Sequence, residues 1–326
     1  MALFSQDEWT ARYIEALGQV GEEGIEIQAT HSHRKSDKPR ISSLGSCGRQ
    51  TFYECIGAPE TDPSDPTSNW AQMLGTAGQA VATAVLEKMG YTVTDVEKTV
   101  GLFPQNHGVL DDRGELHHWQ NDVGDWVPDP DYLIPGHIDG KITGLDLGDE
   151  VRVLDVKLRN TFGMYGTNNS PGMAPMKAGL PAASPDVYLQ LQTYAKAEEA
   201  DGCMVLLAPF DTSANKIAAY TKKAHDNGTQ VPPAYRLLFD SDEKAQALGI
   251  ARGRMIAAAV KLAKSGERVR VQREFNPVNT NFPCNWCSRK GLCLVEGPEY
   301  DIGMPGIPDE WRVANFTNQH EEVPVA

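Results

Sequence analysis

Two neighbouring runs hold residue types that could do chemistry together. In Val151-Arg152-Val153-Leu154-Asp155-Val156-Lys157-Leu158 the apolar alternation predicts a β-strand. Residues i and i+2 of a strand share a face, so Asp155 and Lys157 project together with Val151 and Val153 behind them. Gly136 to Ile142 reads as an adjacent strand, and its Asp139 would bring a second carboxylate within metal-bridging distance. Two carboxylates hold Mg²⁺ or Mn²⁺ through hard oxygen ligands, and the ion polarises a phosphate and lowers the pKa of a bound water. A lysine beside them orients that water or stabilises charge developing on phosphorus. This is the equipment of metal-assisted phosphodiester hydrolysis. An exposed ion pair on an edge strand would carry the same Asp-x-Lys triplet.

The six cysteines form a second constellation. Cys284, Cys287 and Cys293 are spaced C-x2-C-x5-C, and Cys47 lies far upstream in SSLGSCGRQTFY. Such a triplet occupies three corners of a metal site, which a distant fourth thiolate completes. A structural zinc site and unligated thiols are the alternatives. Cys55 and Cys203 match no ligand position, and Cys203, in an apolar strand, reads as a core residue. His31, His33, His117 and His118 read as surface residues, and His137 as a packing residue on the strand face opposite Asp139.

The elements that must position these groups alternate between helix and strand. Helices are predicted over 9–17, from a cap at Ser42 or Ser43 to about Gly57, over 70–89, over 185–200 and over 241–264. Strands are predicted over 91–96, 136–142, 151–158, 203–210 and 235–239. The acidic stretch 105–130, with its DDRGE turn signal, reads as a hairpin or surface insertion, and 160–185 as a long functional loop. Strands flanked by helices on both sides imply an α/β fold.

These motifs resemble, in order, the RecB-like branch of the PD-(D/E)xK nuclease superfamily, in which a G-x-x-D strand, a D/E-x-K strand and a Q-x-x-x-Y helix succeed one another. Here they are Gly136-His137-Ile138-Asp139, Asp155-Val156-Lys157 and Gln190 with Tyr194 on one helix face. The family's upstream G-x-x-x-H, whose His helps ligate the metal, is matched by Gly75-Thr76-Ala77-Gly78-Gln79, with Gln in place of His. The cysteine pattern is similar to that of the iron-sulfur members, the AddB-type nucleases and the CRISPR-associated RecB-like exonucleases. The resemblance spans about 42–293 and implies a restriction-endonuclease-like core with a mixed sheet flanked by helices. It implies a [4Fe-4S] cluster on Cys47, Cys284, Cys287 and Cys293 that staples the ends of the core together. It further implies Mg²⁺ or Mn²⁺ on Asp139 and Asp155 with Gln79 a third candidate, Lys157 near the attacking water, and Gln190 and Tyr194 reaching into the site or onto the DNA backbone. The implied domains are a helix and loop over 1–41, the nuclease with its staple over 42–300, and a tail over 301–326.

Composition bounds the partners. With 40% hydrophobic and 23% charged residues the chain can bury a core. No apolar run approaches the roughly 20 residues that span a bilayer, and the N-terminus lacks a secretion pattern, so the expected location is cytoplasmic, host cytoplasm if phage-encoded. The net charge of −14 argues against nucleic acid until its distribution is read. Asp111–Glu150 carries eleven acids against Arg113 and Lys141, whereas Arg252–Arg273 carries seven bases against Glu267, and Arg34–Arg49 five against Asp37. The basic residues after Ser241 are expected to contact phosphates without reading bases. No G-x-x-x-x-G-K-[ST] motor motif occurs, which leaves a helicase or recombination protein as a separate partner. The expectation is a metal-dependent DNA exonuclease of recombination, repair or phage DNA processing. Its rival is a catalytically weak iron-sulfur protein that binds or assembles on DNA.

Overall fold

The computed structural model describes residues 3–24, 36–62, 68–102, 130–160, 180–209, 234–275 and 287–306. It also describes the short pieces 109–110, 116–117, 119–120, 126–127, 163–164, 166–167 and 170–171, with residues 173, 277 and 284. Helix α1 (Gln6–Glu23) starts at a capping box: the Ser5 hydroxyl accepts from the Glu8 amide and the Glu8 carboxylate from the Ser5 amide. Its buried face, Trp9, Tyr13, Ala16 and Val20, recurs at helical spacing. Helices α2 (Gly48–Cys55) and α3 (Ser68–Met89) follow.

The sheet strands are β1 (Tyr91–Thr94), β4 (Gly140–Gly144), β5 (Arg152–Arg159), β6 (Gly202–Pro209) and β7 (Tyr235–Asp240), in the order β1-β4-β5-β6-β7. Only β5 and β6 run parallel, joined through helix α4 (Pro185–Ala197). A separate antiparallel pair, β2 (Thr99–Leu102) with β3 (Ile134–His137), lies between β1 and β4 in sequence. Helices α5 (Glu243–Lys264) and α6 (Lys290–Glu296) complete the chain. Among the described residues no helix is long and apolar enough to cross a membrane.

Alternation along the strands divides the core in two. Val153, Cys203, Val205 and Leu207 pack with α4, Ile41 and the β2–β3 pair. Leu154, Met204, Leu206 and Ile142 pack with α1 and α3. A third cluster joins Phe52 and Tyr53 of α2 to Ile256 and Val260 of α5, with Val271, Cys293 and Met304. Asp155 and Lys157 fall on the α4 side, as the i, i+2 rule requires. Buried Cys203 donates to the Leu191 carbonyl, in keeping with a core role.

Two expectations about the elements are corrected. Residues 136–142 are not one strand: the Ile138 amide donates to the Lys98 carbonyl in the small pair, whereas Gly140 registers with Leu154 in the main sheet. The chain changes sheets at Asp139. The helix expected from Ser42 or Ser43 is a 3-10 turn, Ile41–Ser43, and α2 starts only at Gly48. Buried Arg252 donates to the Leu44 and Ser46 carbonyls at 2.5 and 2.7 Å, withholding them from a helix ladder.

The same residue overturns part of the phosphate-contact expectation. Arg252 is wholly buried and its two terminal nitrogens also donate to Glu274 at 2.7 Å. Arg49, equally buried, donates to the carbonyls of Val271, Gly297 and Glu299. Arg270 pairs with Glu299 and Asp301, Lys261 with Asp131 and Lys264 with Asp37, so much of the basic stretch ties elements of this chain together. In the acidic insertion, 109–110 pairs with 116–117 and 119–120 with 126–127. Residues 161–162, 165, 168–169, 172 and 174–179 of the 160–185 loop, His31, His33, His118 and the tail beyond 306 lie outside the described residues.

Candidate active site

The site forms where the sheet opens. Strand β4 pairs only with Arg152, Val153 and Leu154 of β5, whereas β6 pairs along all of β5 from Arg152 to Arg159. On the β4 side the amides beyond Leu154 therefore lack a strand partner. Asp139 takes the first of them: its Oδ2 accepts from the Val156 amide at 2.7 Å. The sheet change at Asp139 is what turns this carboxylate toward β5.

Asp155 and Lys157 share the β5 face facing α4, beyond the last residue paired with β4, with Lys157 Nζ donating to Asp155 Oδ1 at 2.8 Å. Asp155 is only 3% exposed, and its second oxygen, Oδ2, is buried without a hydrogen-bond partner. An ionised oxygen left so costs several kcal/mol unless a proton or cation meets it. Burial pushes the Asp139 carboxyl up to about 7, reinforced by the neighbouring Asp155 charge and opposed by Lys157 and the Val156 amide. Two carboxyl groups and one ammonium thus share a desolvated site short of positive charge. The buried Oδ2, the second carboxylate and hard oxygen donors fit a divalent cation.

Gln79 reaches the same place from α3, its Nε2 donating to the Asp139 backbone carbonyl at 3.5 Å. It touches the residue it was expected to assist, but through the main chain. A Cβ on Gly78 beside it would lie 2.0 Å from Leu158 Cδ1, so the end of that leucine side chain would have to shift, whereas Gly75 has open space.

Tyr194 is 3% exposed, and its hydroxyl accepts from the His137 amide at 3.3 Å, so it props the end of β3 from the α4 side. Gly136 makes room for it: a Cβ there would meet Tyr194 Cε1 at 2.5 Å. Burial, with Asp155 and Asp139 nearby, raises the Tyr194 pKa. Gln190, one turn earlier on α4, is partly exposed on the same face.

The cysteines gather elsewhere. Cys47, at the N-terminal end of α2, and Cys284, Cys287 and Cys293 line one cavity of ≈ 370 Å³, mouth included, together with Arg273 and Lys290. All six thiols are free, and Cys55 lies outside this lining. Burial pushes Cys47 up to about 12 and Cys284 up to about 11. Among the described residues no three His, Cys, Asp or Glu side chains converge on a site for a single ion. Glu274 buttresses the Cys47 segment by accepting from the Gly48 amide at 2.7 Å while paired with Arg252. Sequence reasoning missed Arg49, Arg252 and Glu274, because nothing in their local spacing distinguishes them from surface charge.

No protein-family model matches the chain, and no curated protein matches it in sequence. Solved structures with similar folds include SSO0001, at 13% identity and TM-score 0.36 over 88% of this chain and 96% of that one. LHK-Exo in complex with dAMP is 13% identical with TM-score 0.40, over 71% of this chain and 92% of its own. A phage related exonuclease from Haemophilus somnus 129PT is 17% identical with TM-score 0.28, over 71% and 96%. Likenesses this distant add nothing to the geometry of the site.

Proposed function

We propose that the protein is a metal-dependent deoxyribonuclease that degrades DNA from its ends. The observation that carries this reading is the buried, unpartnered Oδ2 of Asp155 beside Asp139 and Lys157 at the open edge of the sheet. Asp139 and Asp155 would hold Mg²⁺ or Mn²⁺, which when bound polarises the phosphate and acidifies water. Lys157 keeps its ammonium beside Asp155, where it can orient the attacking water and offset charge growing on phosphorus. Tyr194 holds the β3 end from which Asp139 follows, and partly exposed Gln190 is left to meet the DNA backbone. Recognition through the phosphate backbone would make binding independent of sequence.

The four cavity thiols fit a [4Fe-4S] cluster by donor type and by their origin at both ends of the core. Its role would be structural, joining the α2 segment to the α6 segment. The action on ends rests on the family resemblance of the motifs.

Linear DNA labelled at its 5′ or 3′ end, and a closed circle of the same sequence, test the reading with Mn²⁺, with Mg²⁺ and without divalent cation. Mononucleotide release from linear DNA only, dependent on cation and absent from Asp155→Ala, is expected. Cleavage of the circle as fast as the linear form would make the enzyme an endonuclease. Undiminished cleavage by Asp155→Ala would remove the site assignment.

A further inference from the structure

The place where the chain changes sheets is held from both sides. The Ile138 amide still donates to the Lys98 carbonyl, in line with the small β2–β3 pair, whereas Lys141 is already in the main sheet, registered with Thr94 and Val153. Asp139 stands between them. The side chains of these same two lysines meet two carboxylates in a closed ring. Lys98 donates to Asp95 at 3.3 Å and to Glu198 at 2.8 Å, and Lys141 lies 3.2 Å from Asp95 and also pairs with Glu198. Asp95 directly follows β1, and Glu198 is the C-cap of α4. Isolated exposed pairs are worth little, but here each charge meets two of opposite sign, and Lys141 and Glu198 are largely buried.

Local rules argue against an acid at Glu198. The C-terminal end of a helix carries partial negative charge, which disfavours a carboxylate there. The Glu198 side chain is also only 8% exposed, so its charge is costly without partners. A residue that breaks local rules marks a place where a functional or tertiary demand is met. What Glu198 meets is Lys98, beside the small pair, and Lys141, in the main sheet. Together with Tyr194, whose hydroxyl accepts from the His137 amide, it lets α4 grip the chain two residues before and two residues after Asp139. We infer that the ring of Asp95, Lys98, Lys141 and Glu198 is a clamp that sets the Asp139 carboxylate for its divalent cation, with Glu198 the positioning residue; this rests on the cation reading given above. The ring sums to zero charge, so what it contributes is geometry: it fixes the bend at which Asp139 turns toward the Val156 amide.

Geometry and simple attraction predict opposite outcomes at the lysines. The test is Mn²⁺ binding by the whole DNA-free protein, cleared of divalent cations by gel filtration so that any thiol-bound group stays in place. Calorimetry and the EPR signal of free Mn²⁺ report binding, and thermal unfolding is followed in parallel. Lys98→Met, at an exposed member of the ring, removes a positive charge, which by attraction alone would leave Mn²⁺ binding unchanged or tighter. As a broken clamp it should weaken binding about 10-fold or more, and Glu198→Gln should do the same. Lys98→Arg keeps the charge and both partners and should bind as the parent does. Asp155→Ala, the reference, should bind no Mn²⁺. If Asp155→Ala loses binding while Lys98→Met binds as tightly as the parent or more tightly, the clamp is overturned alone; a loss in Lys98→Arg equal to that in Lys98→Met would also overturn it. If Asp155→Ala binds like the parent, the cation reading falls and takes this inference with it. Lowered Tm with parental Mn²⁺ affinity in both Lys98→Met and Glu198→Gln would show a ring that only stabilises the fold.

Discussion

Adding one methyl group at Gly136 tests how the Asp139 carboxylate is positioned. An alanine Cβ there would sit 2.5 Å from Tyr194 Cε1, 3.1 Å from the Tyr194 hydroxyl and 3.2 Å from Ile41 Cβ. Optimal carbon–carbon contact is roughly 3.5–4.0 Å. Tyr194 is 3% exposed and Ile41 not at all, so neither can swing into solvent. Overpacking of this kind costs about 1–3 kcal/mol. Displacing the Tyr194 ring also strains the hydrogen bond from the His137 amide, worth about 1 kcal/mol. Gly136→Ala should therefore destabilise the protein by about 2–4 kcal/mol, against the modest gain that Gly→Ala brings at an unstrained position. Urea unfolding at unchanged m-value measures it. Tyr194→Leu supplies a double-mutant cycle: with the ring gone, Gly136→Ala should cost much less, and the two changes should couple by more than about 1 kcal/mol. Since Asp139 follows three residues on, Mn²⁺ affinity should fall with stability in the single variant. A Gly136→Ala protein within about 0.5 kcal/mol of the parent, or additive changes in the cycle, would refute this account of why glycine occupies the position.

Gln79→Ala should lower cleavage far less than Asp139→Ala, because the amide contributes a weak bond to a backbone carbonyl and the carboxylate contributes charge; equal losses in rates measured against Mn²⁺ concentration would contradict this. Arg252→Met should lower stability by about 3–5 kcal/mol, since it strands Glu274 without its guanidinium partner, and the loss should show in urea unfolding. Cys47→Ser should remove iron and brown colour from protein purified without oxygen, yet cost less stability than Arg252→Met, because Arg252 and Glu274 hold the flanking backbone; zinc in place of iron would overturn the cluster proposal. Burial opposes ionisation of Asp146, but the Phe4 amide, Arg236 and Tyr91 outweigh it and hold the carboxyl below its ordinary 3.8. Its stabilisation is thus complete above about pH 4 and is lost as pH falls through the lowered value, so the parent's stability advantage over Asp146→Asn should shrink only on the acid side.

What the sequence by itself determined are the relations set by local periodicity. Asp155 and Lys157 share a face because strand side chains alternate, and Gln190 and Tyr194 share one because a helix repeats every 3.6 residues. The strands over 152–159, 202–209 and 235–240, the helices over 185–197 and 243–264, and Cys203 as a core residue were legible on the same ground. Tertiary structure decided what those faces meet. Whether residues 136–142 continue as one strand depends on two different partners, Lys98 and Leu154, competing for adjacent residues, and neither is visible within the run itself. The same holds for Tyr194, whose Q-x-x-x-Y spacing is indifferent to whether the ring is buried under Gly136 or turned outward. Arg252 and Lys264 read alike as basic helix residues; only long-range packing buries one against Leu44, Ser46 and Glu274 and leaves the other at the surface with Asp37. Side-chain type and spacing fix direction along an element, whereas burial and charge partners arise from contacts between distant segments, as with Arg252 and Leu44, 208 residues apart, and Arg49 and Glu299, 250 residues apart.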